Sequence, residues 1–169
     1  MKVDTNTLLP DFQTLITTPV QLLALGFGSG LVPKAPGTVG TVAAIPFFFL
    51  LLLLPIWAYV TVLFITFALG IYLCQSTADD LGVHDHPAIV WDEFVGLWVT
   101  LLPVIFLGFT WYWLVSGFIL FRFFDIIKPW PIRWFDQQIS GGLGIMLDDV
   151  VAGIVAALCL WLLIIFSGS

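Results

Sequence analysis

From Gly37 to Cys74 the chain is apolar at almost every position and nearly free of charge. At about 1.5 Å per helical residue, this run is too long for one crossing of a hydrocarbon layer and long enough for two. Pro55 divides it, which predicts one helix over about Thr38–Leu54, with Thr38 as N-cap, and a second over about Ile56–Cys74. Phe94–Phe121 is apolar throughout. As one helix it would be about 42 Å long and strongly tilted, with Asp92 and Arg122 on opposite sides. A break at Gly108-Phe109-Thr110 gives instead a hairpin over Ala88–Lys128 with both charged ends on one side. The hairpin is the expected arrangement and the tilted helix the alternative. A last helix is expected over about Asp149–Phe166. The apolar part of Asp11–Gly26, from Pro19, is too short to span and predicts an interfacial or re-entrant helix. The expected fold class is therefore all-α: a polytopic helical membrane protein with about five membrane-embedded helices plus an N-terminal interfacial helix. Residues 1–169 form a single domain without an internal repeat.

Composition agrees with this pattern. Of 169 residues, 60% are hydrophobic and 9% charged, and mean hydropathy is +1.10, outside the range of an ordinary soluble domain. Lys and Arg total only 5, which argues against nucleic-acid binding. The net charge of −6 matters less than its placement. With the hairpin, Lys2, Lys34, Arg122, Lys128 and Arg133 all fall on one side, expected to be cytoplasmic, while the loops around Pro55 and Gly108 and the end after Ile165 carry no charge. Trp57, Trp111 and Trp113 mark the outer ends, and Trp91, Trp130 and Trp134 the inner ones. Met1–Thr18 does not read as a signal peptide, so insertion is expected to depend on the internal spans. Cys74 and Cys159 sit in apolar runs and read as small buried thiols.

Carboxylates in or beside hydrocarbon are costly, and their usual justification is function. Four clusters bear on this. Gly28-Ser-Gly-Leu-Val-Pro-Lys-Ala-Pro-Gly-Thr38 is Gly-rich but lacks the ending of a P-loop; it reads as a turn into the first helix, or as a turn offering N–H groups to an anion. Asp79-Asp80 through Asp92-Glu93 includes His84 and His86, a weak zinc signal without a third soft ligand. Asp92 and Glu93 point about 100° apart on a helix, so one can coordinate while the other orients, or both can simply open the helix. Arg122, Asp125 and Lys128, spaced i, i+3, i+6 before Pro129, place Asp125 beside both cations on one stripe; a basic headgroup anchor would explain Lys128 and Arg133 but not Asp125. Asp148 and Asp149 open the last apolar helix, with Ala152 and Gly153 permitting close packing nearby.

Asp92, Glu93, Asp125, Asp148 and Asp149 thus come from three helices to one membrane face. All-oxygen ligands select a hard cation, Mg²⁺ before Zn²⁺. Beside them Lys128, Arg122 and Arg133 supply phosphate-binding charge, to which Lys34 of the Gly-rich turn is added. Mg²⁺ held by carboxylates beside such cations suits phosphoryl chemistry, and at a membrane face the natural substrate is a phospholipid headgroup. A small ion or solute transporter with a one-sided acidic metal site is the alternative, but a transporter would carry its charges near the midplane on broken helices. Nothing in the pattern fixes an oligomeric state.

The stretches GFGSGLVPKAPGTVGT, GVHDHPAIVWDEFVG, FRFFDIIKPWPIRWFD and GGLGIMLDDVVAG, in order from Gly26 to Gly153, resemble the phosphatidylglycerophosphatase A family. The resemblance implies a Mg²⁺-dependent enzyme of the bacterial inner membrane, its active site facing the cytoplasm, that hydrolyses the terminal phosphate of phosphatidylglycerophosphate to give phosphatidylglycerol. It further implies that Asp92, Glu93, Asp125, Lys128, Asp148 and Asp149 form the active site; within it Asp92, Glu93, Asp125 and Asp149 are expected to be catalytic, Asp92, Glu93, Asp148 and Asp149 to hold the metal, and Lys128, with Arg122, Arg133 and Lys34, to bind substrate.

Overall fold

The computed structural model describes residues 12–83 and 85–167, with side chains from Leu15 onward. The sequence expectations that involve Lys2, Asp11 and His84 fall outside the described residues. Every element described is helical: α1 (Phe12–Thr17), α2 (Pro19–Ala24), an irregular turn (Gly26–Leu31), α3 (Pro36–Ala43), α4 (Ile45–Leu51), α5 (Ile56–Leu81), α6 (Trp91–Thr100), α7 (Leu102–Leu107), α8 (Trp111–Ile127), α9 (Ile132–Gln138) and α10 (Gly141–Phe166).

The all-α expectation holds, but most boundaries move. The N-terminal segment is two short helices, because Pro19 starts a new one after Thr18. The first long helix begins at Pro36 rather than at an N-cap Thr38; Ala35 is its N-cap, and Pro36 supplies the fixed φ of a first helical position. It also divides at Ala44, since Pro46 lacks the N–H that would continue the ladder. The indole of Trp98 donates to the Ala44 carbonyl at that break, at 3.1 Å. α5 runs past Cys74 to Leu81, 26 residues in all. Gly82, at φ 66°, closes it, and the Val83 N–H bonds the Ala78 carbonyl. α9 was not foreseen.

The hairpin is present. Gly108, at φ 100°, ends α7, and Thr110 caps α8 by accepting the Trp113 N–H at 3.3 Å. Glu93 meets Arg122, a Cβ on Gly96 would meet the Phe121 ring, and one on Gly117 would meet Leu101, so α6 and α8 run antiparallel. This overturns the single tilted helix. A second break separates α6 from α7 near Pro103, where the Tyr59 hydroxyl donates to the Trp98 carbonyl at 2.6 Å.

α10 differs most. It starts at Gly141, not Asp149, and its first turn holds no acidic residue. The glycines ahead of the aspartates are there for clearance: a Cβ at Gly142 would collide with the backbone of Ile71 on α5. Asp148 and Asp149 therefore lie two turns inside the helix, and a favourable first-turn placement does not account for them.

α10 packs on α5, α6, α8 and α9, and α6 packs on α3, α5, α8 and α10. α6 is buried over most of its length, Glu93 included. At the α6–α10 crossing a Cβ on Gly153 would lie 2.6 Å from the Gly96 carbonyl oxygen, so two glycines set the backbone separation. One turn away stand Asp92 and Glu93 on one side and Asp149 on the other. The outer surfaces are apolar: Phe64 is 70% exposed, with Ile65, Ile119, Leu158 and Phe166 also open. Among the described residues, α5 and α10 are long and apolar enough to cross a membrane.

Candidate active site

α3, α6, α8, α10 and the 85–89 loop line an open cavity of about 390 Å³. Its wall includes Gly37, Asp85, Asp92, Glu93, Arg122, Asp125, Lys128, Asp148 and Asp149. The five carboxylates expected to converge do so, together with two of the four expected cations. Lys34 and Arg133 are exposed and stand outside the lining.

Glu93 and Asp92 divide their roles as neighbours on a helix must. Glu93 Oε1 accepts from Arg122 Nη1 at 3.1 Å, and the same Nη1 donates to Asp125 Oδ2 at 2.5 Å and to Thr41 Oγ1 at 3.5 Å. A Cβ on Gly37 would strike the Glu93 carboxylate and the Arg122 guanidinium, so the Gly-rich turn leads into a helix start that lies flat on this ion pair. A buried pair with one partner removed would leave an uncompensated charge, a loss on the order of 3–5 kcal/mol. Arg122 Nε is buried and has no protein partner.

Lys128 departs from expectation. It pairs with Asp148 (2.5 Å) and Asp136 (2.6 Å), not with Asp125. The reason is its backbone: α8 ends at Ile127 and Lys128 takes a left-handed φ of 45°, which turns its side chain off the helical stripe. Burial disfavours its charge, but the Asp148 and Asp136 carboxylates outweigh that and raise its pKa above the ordinary lysine value.

The remaining carboxylate oxygens are the informative ones. Asp92 Oδ1, Glu93 Oε2, Asp148 Oδ1 and Asp149 Oδ2 are all buried with no protein hydrogen-bond partner. Asp149 is only 3% exposed. Buried acceptors are normally satisfied, and four orphans of one sign in one cavity are unfavourable unless something positive joins them. An all-oxygen set of this kind fits a hard divalent cation. Among the described residues no three His, Cys, Asp or Glu side chains already close as a metal cage.

Asp85 and Asp136 were not singled out from the sequence, although both lie within the quoted stretches. Asp79 and Asp80 stand elsewhere, bound to Gln75 and Gln21. His86 is buried, and its Nδ1 accepts the Ala88 N–H at 3.1 Å, which ties the loop. Cys74 and Cys159 are free thiols, Cys74 buried beside Met146.

Fold and site together define a protein, all-helical over its described residues, with an open acidic cavity that has an arginine and a lysine in its wall. The family model for phosphatidylglycerophosphatase A matches residues 22–164. This chain belongs to the phosphatidylglycerophosphatase A family. A protein of Escherichia coli K12 described as phosphatidylglycerophosphatase A is 52% identical over 142 residues, covering 84% of this chain and 81% of its own. A Haemophilus influenzae protein of the same description is 50% identical over 144 residues, covering 85% and 87%. A Bacteroides thetaiotaomicron protein described as a putative phosphatidylinositol-3-phosphatase is 43% identical over 141 residues, covering 79% and 86%. No solved structure matches the chain.

Proposed function

We infer that this protein hydrolyses the terminal phosphate monoester of phosphatidylglycerophosphate, giving phosphatidylglycerol and phosphate in phospholipid biosynthesis. One observation carries the reading: residues from all four family stretches meet at a single cavity lined by Asp92, Glu93, Asp148 and Asp149, each with one buried carboxylate oxygen that has no protein partner. Hydrolysis breaks the bond between phosphorus and the terminal glycerol oxygen; water supplies the new P–O bond and a proton for the released hydroxyl.

The chain's own residues have separable parts in this. Arg122, held in the cavity wall by Glu93 and Asp125, would supply guanidinium charge for a phosphate oxygen. Lys128, in the same lining, would supply a compact ammonium. Asp92, Asp148 and Asp149, with Glu93 Oε2, are the oxygens that would hold Mg²⁺. Bound there, Mg²⁺ would offset the charge of the phosphate and act as a Lewis acid.

The membrane reading rests on the outer surface. α5 is long and apolar, yet little of it is buried by the rest of the chain, unlike the core helix of a soluble protein. Its 26 residues measure about 39 Å, more than the roughly 30 Å of a hydrocarbon core. The excess is the polar end that bears Asp79 and Asp80. α3 with α4, α6 with α7, and α8 would supply three further crossings beside α5 and α10, making five. The positive-inside rule then places the cavity on the cytoplasmic side of the inner membrane. Impermeant thiol labelling in a cysteine-free background checks this. Trp111→Cys, at a site 66% exposed, should label from the periplasm, and Trp130→Cys, at a site 83% exposed, only from the cytoplasm. Labelling of both from one side would refute the five-crossing arrangement.

Substrate choice is tested with purified protein in detergent. Phosphate release from phosphatidylglycerophosphate should exceed that from phosphatidylinositol 3-phosphate by at least about tenfold in kcat/KM, roughly 1.4 kcal/mol of discrimination. The reverse preference would assign the site to the inositol lipid.

A further inference from the structure

Lys128 holds two carboxylates of unlike character. Asp148 is on α10, deep in the wall, and its second oxygen is buried without a partner. Asp136 is on the short helix α9, its side chain 35% exposed, and it has no part in the cation-binding set. Both also line a small adjoining cavity with Asp85, Ile139, Gly144 and Ile145. α9 follows Lys128 after a turn through Pro129 and Pro131, so the lysine and its outer partner are joined by a short, stiff connection.

The two pairs respond differently when a divalent cation enters. A cation at Asp148 Oδ1 would share one carboxylate with the ammonium held on Oδ2, so the two positive charges repel and the Lys128–Asp148 pair weakens. Asp136 lies outside that sharing. A lysine released from Asp148 with no second partner would be a flexible cation on a four-carbon stem beside anionic headgroups, and it would lose its aim.

We propose that Asp136 is a positioning residue: it keeps the Lys128 ammonium at the cavity while Asp148 turns to the cation, so that the freed ammonium meets the substrate's phosphate. The proposal rests on the phosphatase reading above. Removing Asp136 has two consequences. Lys128 falls back onto Asp148, which raises the cation concentration needed for activity. When the cation does displace it, Lys128 is no longer held near the phosphate, which raises KM.

The test uses purified full-length protein and the variants Asp136→Asn, Asp136→Glu, Lys128→Ala and the double variant Asp136→Asn/Lys128→Ala. Asp136→Asn should raise both KM for phosphatidylglycerophosphate and the half-saturating Mg²⁺ concentration by about tenfold, the scale of one charge-assisted hydrogen bond. kcat should change less, and Asp136→Glu should recover most of the loss. With Lys128 already alanine, removing Asp136 should cost nothing further. A second readout needs no turnover. Mg²⁺ without substrate should raise the labelling of Lys128 by an amine reagent at least about fivefold more in Asp136→Asn than in the wild type, as expected for an ammonium set loose. Unchanged KM and Mg²⁺ dependence in Asp136→Asn, or a loss that adds to that of Lys128→Ala, would overturn the positioning role while the phosphatase reading stands. A wild-type protein that releases no phosphate from this lipid would instead remove the reading beneath it.

Discussion

Asp149→Asn should lower phosphate release at least about a hundredfold, the scale of losing a key electrostatic group in a catalytic site, while the protein stays folded. Asp149 is almost fully buried and its Oδ2 has no protein partner. It shares the cavity wall with Asp92, Glu93, Asp125 and Asp148. In a structural ion pair, neutralising one member leaves the other stranded and costs stability. Here no cation of the chain is paired with Asp149 among the described residues, so neutralisation removes repulsion. In metal-free buffer the melting temperature should therefore hold or rise as activity falls. Asp92→Asn should behave alike. Near-normal turnover would remove Asp149 from the site, and a marked fall in melting temperature would make it a structural residue instead.

Gly153→Leu should abolish activity by another route and lower stability with it. A Cβ at Gly153 falls 2.6 Å from the Gly96 carbonyl oxygen, and one at Gly96 falls 2.5 Å from the Phe121 ring. These neighbours are backbone and packed aromatic, with no room to give. Overpacking costs roughly 1–3 kcal/mol where a site can relax, and a helix pair locked at its backbones relaxes poorly. The wider effect is on geometry: α10 would lift from α6 and carry Asp149 away from Asp92. A displacement of about 1 Å can cost a hundredfold in rate. Thermal unfolding and phosphate release in one detergent would separate the variants, since Gly153→Leu should lose both and Asp149→Asn only the second. Wild-type values for both quantities in Gly153→Leu would show that the crossing does not set the site.

Much of the site was legible because charge is rare in this chain. Any carboxylate in an apolar run stands out, and Asp92, Glu93, Asp125, Asp148 and Asp149 all came to one cavity. The Gly108 break was legible as well, since hydrophobic length alone made a single helix awkward. What was missed has four physical sources. The apolar pattern opens the last helix at the aspartates, whereas Gly141-Gly-Leu-Gly begins α10 and its glycines admit α5, so the aspartates sit inside the helix. Helical periodicity placed Lys128 on the Arg122–Asp125 stripe, but the residue at a helix end need not keep helical φ. Asp136 was overlooked because it belongs to a short helix without a long apolar pattern, and its importance comes from a contact eight positions back along the chain. Lys34 and Arg133 matched the charge pattern of one face, which reports the side of a membrane and not the distance to a cavity.

The central claim is that the acidic cavity works with a divalent cation on a lipid phosphate. It is tested most directly by stripping the purified protein of metal, supplying phosphatidylglycerophosphate in micelles and following phosphate. No release is expected in chelator, and full release should return when Mg²⁺ is added in excess. Undiminished release in metal-free buffer would contradict the account.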